Sequence, residues 1–193
     1  MQKDSAQEKI CELGKRLAQE RLVAGHDGNI SIRLESGTIA ISPTMKNKGE
    51  MKPEDIVFLE LDGKQIGGKL KASSEASLHL EIYKARPEIN CVIHAHPVYA
   101  TAFAAAGKEI SSDFLDEAIM FPGKTPLILF SPAGSLELAQ KAASLSKGYN
   151  SCLLEKHGAV SFSDDPDTAF YLMQKIEQQA QIYYLFLNIT HKA

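Results

Sequence analysis

Two hydrophobic periods alternate along this chain. From Ser5 to Ala24, Ile10, Leu13 and Leu17 fall on one helical face, with Ser5 and Glu8 at capping-box spacing and Gly25 as a stop. Asn29-Ile-Ser-Ile-Arg-Leu34 then alternates polar and apolar strictly, predicting a half-buried strand. Ser36-Gly37 turns it, and Thr38 to Ser42 returns as a hairpin partner. Pro43 to Lys52 reads as a loop, and Asp55 to Leu61 as a strand ended by Asp62-Gly63. After Ser73-Ser74-Glu75, Leu78, Ile82 and Ala85 mark a helix that Pro87 closes; either serine suits its N-cap, with Glu75 in the first turn. Asn90 to His96 reads as a short strand rich in β-branched residues, and Pro97 to Ala106 as an Ala-rich helix stopped by Gly107. Ile110 to Met120 has no clear period. Leu127 to Phe130, Ser151 to Leu154 and Ala159 to Phe162 are strand-like, and Gly134 to Ser146 is helical. Asp165-Pro166 opens a long last helix, striped by Ala169, Leu172, Met173, Ile176, Ala180, Tyr183 and Leu187, a core or subunit face. Helices at both ends and between strands, with several hairpins, predict an α+β sheet sandwiched by helices.

Composition narrows the function more than the fold. A chain of 193 residues, 44% apolar and 23% charged, fits one domain with a sizeable core. A formal net charge of −3 gives no footprint for nucleic acid or an anionic membrane. No apolar run reaches a membrane-spanning length and no basic-then-apolar leader is present, so a soluble, cytoplasmic protein is expected. Cys11, Cys91 and Cys152 are scattered and lack Cys-X-X-Cys spacing, which fits reduced thiols.

The candidate chemistry begins at His94-Ala-His96. On a strand these two imidazoles share a face, about 7 Å apart at Cα, close enough to converge on one cation. Two ordinary hydrogen-bonded histidines would give the same pattern. His157, in a Lys-His-Gly corner, is a candidate third nitrogen that would leave an open coordination position. Gly28-Asn29, Pro43-Thr44 and Ser73-Ser74 place hydroxyls, an amide and backbone N–H groups at element ends, a set able to hold phosphate without lysine. Capping alone would also explain the serines.

The ordered combination Gly28-Asn29-Ile-Ser-Ile-Arg33, Ser42-Pro43-Thr44, Lys48-Gly49, Pro53-Glu54-Asp55, Ser73-Ser74-Glu75, His94-Ala-His96-Pro97, Glu117 and His157-Gly158 resembles the class II aldolase/adducin family from about residue 10 to 188. The resemblance implies a three-layer α+β fold with a mostly antiparallel sheet between helical layers, over one domain spanning 1–193. It implies zinc held by His94, His96 and His157. Glu75 would be a fourth ligand at rest and the proton-transfer group once substrate displaces it. Asn29, Thr44, Ser73 and Ser74 match the phosphate-binding set, and Glu117 is a candidate second acid or base across a subunit boundary. A homotetramer acting on a small sugar phosphate follows, with no nucleic-acid or membrane partner.

The implied reaction is cleavage of a ketose 1-phosphate to dihydroxyacetone phosphate and an aldehyde. The metal would act as Lewis acid and Glu75 would handle the proton at the nascent carbon. Two positions depart from the pattern. Met45 stands where the family's aldolases have Gly after the loop Thr, and the tail tyrosine that helps protonation has no counterpart before Ala193. Rival activities sharing the metal triad are a sugar-phosphate 4-epimerase, a methylthioribulose-1-phosphate dehydratase and an oxo-acid phosphate decarboxylase. The epimerases carry Asp where Glu75 stands, which favours the aldolase. The family's non-enzymatic adducin head, an interaction module, has lost the ligands that are all present here.

Overall fold

The computed structural model describes residues 1–190. In chain order the helices and strands are α1 (Lys3–Gln19), β1 (Asn29–Arg33), β2 (Ile39–Ile41), β3 (Val57–Leu59), β4 (Gln65–Gly67), α2 (Ala76–Ala85), β5 (Cys91–Ala95), α3 (Val98–Ala105), α4 (Asp116–Met120), β6 (Leu127–Ile128), α5 (Leu136–Ser146), β7 (Ser151–Leu154), β8 (Gly158–Ser163) and α6 (Pro166–Thr190). The strands form one sheet in the order β4-β3-β2-β1-β5-β8-β7-β6. Every neighbouring pair is antiparallel except β6 and β7.

Strand alternation divides the interior into two cores. Ile30, Ile32, Ile93 and Ala95 face the layer built from α1, α3 and α6, against Ile10, Leu13, Ala100, Phe170, Met173 and Ile176. Val92, Val160 and Phe162 face the opposite layer, against Leu78, Ile82 and Tyr83 of α2 and Leu138 and Ala142 of α5. The expected three-layer α+β arrangement holds. At about 1.5–3 kcal/mol for each fully buried large apolar side chain, the two cores supply most of the drive to fold. No helix among the described residues is long and apolar enough to cross a membrane.

Several expectations shift in detail. α1 starts at Lys3 with Gln2 as its cap, so Ser5 and Glu8 lie inside the helix and the predicted capping box is not used. It ends at Gln19, six residues before Gly25, in a Schellman motif: Arg21 takes φ +58, Leu22 N bonds Leu17 O at 2.9 Å, and Arg21 N bonds Ala18 O at 3.1 Å. A short strand, β4, follows the Asp62-Gly63 turn, where no strand was expected. The patternless stretch contains α4. β1 is buried on both faces, not half-buried: Asn29 and Ser31 are 3% and 0% exposed. Their side chains are covered by α2, whose polar groups satisfy them.

Candidate active site

β5 ends one residue before His96, and the alternation predicted from sequence puts His94 and His96 on one side. His94 Nε2 and His96 Nε2 lie 3.0 Å apart. β8 pairs with β5 and begins at Gly158, so His157, the residue before it, lies beside them, and the three rings pack with centroids 4.6–5.2 Å apart. One nitrogen from each ring lies within 4.8 Å of the others. Gly158 makes this possible: a Cβ there would sit 2.6 Å from both Ala95 O and His96 Cδ2. On the other side, Gly28, at φ +71, leaves room for His94 O, which a Cβ would meet at 2.7 Å.

The protonation pattern suits ligation. His94 Nδ1 donates to Ala159 O at 3.0 Å, so its Nε2 carries the lone pair. Burial, together with the neighbouring His157 and His96, holds the pKa of His94 well below its ordinary value. Burial also lowers His157, against the opposing pull of Glu75. His96 turns its Nδ1 toward Asp27 Oδ2 at 3.5 Å. Such an outer partner orients a ligating imidazole.

Glu75 sits in the cap position of α2 and makes no capping bond, so its carboxylate is free for other work. This corrects its expected place in the first turn. Its oxygens lie 3.3 Å from His94 Nε2 and 3.3 Å from His157 Nε2. Glu75 Oε1 and His157 Nδ1 are buried without a hydrogen-bond partner. Three imidazoles and one carboxylate, with ring nitrogens facing each other at 3.0 Å and an orphaned carboxylate oxygen, fit a divalent cation.

The expected phosphate-binding residues gather beside Glu75. Asn29 Nδ2 donates to Glu75 Oε2 at 2.9 Å. Ser73 Oγ accepts from Glu75 N at 3.2 Å, so Ser73, not Ser74, closes the turn into the helix. The bridge between Pro43 and Ala72 brings Thr44 alongside, with Thr44 N donating to Lys71 O at 3.0 Å. Ser74 is exposed. Met45 takes φ +55, the conformation that glycine adopts freely, and its side chain is 73% exposed. Glu117, on α4, is not joined to this cluster within one chain; its recorded partner is Lys175 Nζ at 3.8 Å. Asp27 and His79 were missed from sequence. His79 follows Glu75 by four residues on α2, a spacing that puts both on one helix face and could have drawn notice.

The profile of the Class II Aldolase and Adducin N-terminal domain matches residues 8–184. The chain is 38% identical over 181 residues to the 5-deoxy-D-ribulose 1-phosphate aldolase of Bacillus thuringiensis serovar kurstaki, across 92% of this chain and 83% of that protein. It is 35% identical over 181 residues to the L-fuculose phosphate aldolase of Methanococcus maripaludis, across 94% and 96%. A solved L-fuculose 1-phosphate aldolase superimposes with a TM-score of 0.89 at 28% identity, across 96% of this chain and 87% of that one. The chain therefore belongs to the class II aldolase and adducin family, as an enzyme of the aldolase class.

Proposed function

We propose that this enzyme cleaves a ketose 1-phosphate to dihydroxyacetone phosphate and an aldehyde, using zinc or a similar divalent ion held by His94, His96, His157 and, at rest, Glu75. The observation that carries the reading is the Glu75 carboxylate, 3.3 Å from two of three convergent imidazoles and anchored by Asn29. A bound divalent ion would supply Lewis acidity to the substrate's carbonyl and neighbouring hydroxyl oxygens. Asn29, Thr44, Ser73 and Ser74 grip the phosphate with neutral donors, which solvate a dianion at short range. Cleavage breaks C3–C4 after the C4 hydroxyl loses its proton, and Glu75 delivers a proton to C3. Glu117 is a candidate for the remaining proton transfer if a neighbouring subunit brings it to the site. We place the enzyme in the cytoplasm as a homotetramer; Tyr184, Leu185, Phe186 and Ile189 on the last turns of α6 are 42–71% exposed and suit a subunit contact. Sedimentation reporting only a 21.1 kDa species at micromolar concentration would remove the tetramer.

The test of function is a panel of ketose 1-phosphates, a pentulose 5-phosphate, methylthioribulose 1-phosphate and an oxo-acid phosphate, offered to the metal-loaded protein. Release of dihydroxyacetone phosphate from a ketose 1-phosphate is expected. Epimerisation, dehydration or carbon dioxide release in its place would assign the site to one of the rival activities.

A further inference from the structure

The polar face of β1 is buried beneath α2 and forms one continuous hydrogen-bonded line. Tyr83 OH lies 3.0 Å from Ser31 O and 2.8 Å from Ser31 Oγ. Ser31 Oγ lies 2.7 Å from His79 Nδ1, and His79 Nε2 bonds Asn29 Oδ1. Asn29 Nδ2 then donates 2.9 Å to Glu75 Oε2. His79 and Ser31 are wholly buried, and Asn29 is 3% exposed.

The proton positions in this line follow from its chemistry. A carboxylate only accepts, so Asn29 must turn its NH2 to Glu75 and its carbonyl to His79. His79 must then carry its proton on Nε2, which makes Nδ1 the acceptor for the Ser31 hydroxyl. The Tyr83 hydroxyl donates to Ser31. His79 is neutral throughout, since burial pulls its pKa down to about 3. Either Ser31 oxygen can accept the Tyr83 proton, and from the Ser31 hydroxyl to Glu75 a single arrangement satisfies every group.

We propose that His79 is a positioning residue: its Nε2–H fixes which end of the Asn29 amide faces Glu75 and the bound anion, and thereby seats the proton-transferring carboxylate against the histidine cluster. This rests on the role given above to Glu75 and Asn29. Without the donor, Asn29 Oδ1 is a buried acceptor lacking its partner, and the amide is free to rotate. The rotated amide sets its oxygen against the carboxylate, where it repels what it formerly held. A histidine serving only the core has no reason to be coupled to Asn29 in activity.

Two measurements decide the matter on the metal-loaded protein. Long-range nitrogen-15 spectra of the imidazole rings need no substrate; they are expected to show His79 as the neutral Nε2–H tautomer, and an Nδ1–H tautomer would overturn the proposal. Because this arm is independent of turnover, it stands even if no ketose phosphate is cleaved, a result that would sink the proposed function alone. The second arm measures cleavage, metal content and thermal midpoint together. His79→Leu is expected to lower kcat about 10–100-fold, the scale of losing an outer partner of a metal site. In an Asn29→Ala background the same change is expected to cost less than about threefold, because coupled residues are not additive. Independent, additive losses would overturn the proposal. Should His79→Leu fail to fold, His79→Gln and His79→Asn replace it. Gln places an N–H where Nε2 stood and is expected to keep kcat within about tenfold of wild type, whereas the shorter Asn is not. Equal activity in the two would equally overturn it.

Discussion

Gly158→Ala tests whether the histidine cluster depends on a bare backbone position. Its φ lies outside the left-handed region, so alanine meets no conformational obstacle there, and in open space the change would stabilise by about 0.4–1 kcal/mol through the unfolded chain. The space is not open. The new methyl would sit 2.6 Å from Ala95 O, which belongs to a strand paired with β8, and 2.6 Å from His96 Cδ2, with His94 Cε1 at 3.3 Å. Ordinary contact begins near 3.4 Å, so the His96 ring must retreat by about 0.8 Å, several times the roughly 0.2 Å that a metal–ligand bond tolerates. Overpacking of this kind costs about 1–3 kcal/mol, leaving a net destabilisation of about 0–2.6 kcal/mol. For a chain of this length that lowers the thermal midpoint by at most about 10 °C. The larger effect is on metal: affinity is expected to fall at least 10–100-fold, the scale of losing an orienting contact. Metal content after dialysis against a graded chelator, read beside the melting curve, separates the two. Stoichiometric zinc at wild-type affinity in Gly158→Ala would refute the reasoning.

Three further outcomes follow from the same geometry. Glu75→Gln keeps shape and the Asn29 contact but carries no proton, so kcat is expected to fall about 10²–10⁴-fold while fold and metal persist; wild-type turnover would shift the role to Glu117. Replacing Ser73 and Ser74 together by Ala is expected to raise KM for a ketose 1-phosphate tenfold or more, at about 1.5–3 kcal/mol per hydrogen bond to a charged group; equal turnover of the unphosphorylated sugar by wild type would contradict a phosphate grip. Lys48 is 1% exposed and donates to His26 O and Lys46 O at 2.9 and 2.7 Å, two acceptors that a neutral amine satisfies; burial lowers its pKa to about 8. The unfolded chain therefore binds the extra proton between about pH 8 and 10.5, so wild-type stability relative to Lys48→Met is expected to rise across that window in denaturant melts, and a flat difference would rule the titration out.

Legibility from sequence followed how local each cause is. The same-face placement of His94 and His96 needs only strand geometry, and it could be read at once. The long stripe of α6 was equally readable, because Ala169, Leu172, Met173, Ile176 and Ala180 repeat at helical spacing and are all buried. Gln65-Ile-Gly67 was not, since a three-residue edge strand has too few positions for a period to show. The end of α1 was misplaced because Arg21 accepts a left-handed conformation usually given to glycine, and Leu22 N finds Leu17 O. The polar positions of β1 misled most: alternation says which side a residue faces, and only the tertiary fold says that α2 covers Asn29 and Ser31. His79 went unnoticed for the same reason. Its partners lie 48 and 50 residues away.

The two glycines beside the candidate site residues have a common origin in how tightly the backbone crowds His94 and His96. β1 pairs Asn29 with His94, and β8 pairs Ala159 with Ala95, so both neighbours bring a side chain of the candidate site to the end of β5. A residue that reaches into that end needs a neighbour with no side chain, because the next position along lies against backbone: Gly28 against His94 O, Gly158 against Ala95 O. Gly28 carries a second constraint that Gly158 lacks, a φ of +71. A substitution at Gly28 therefore meets both strain and collision, whereas Gly158→Ala isolates the collision. Gly-Asn at the start of β1 and His-Gly at the start of β8 are thus one steric requirement met twice, on either side of the strand whose end carries the metal-capable pair.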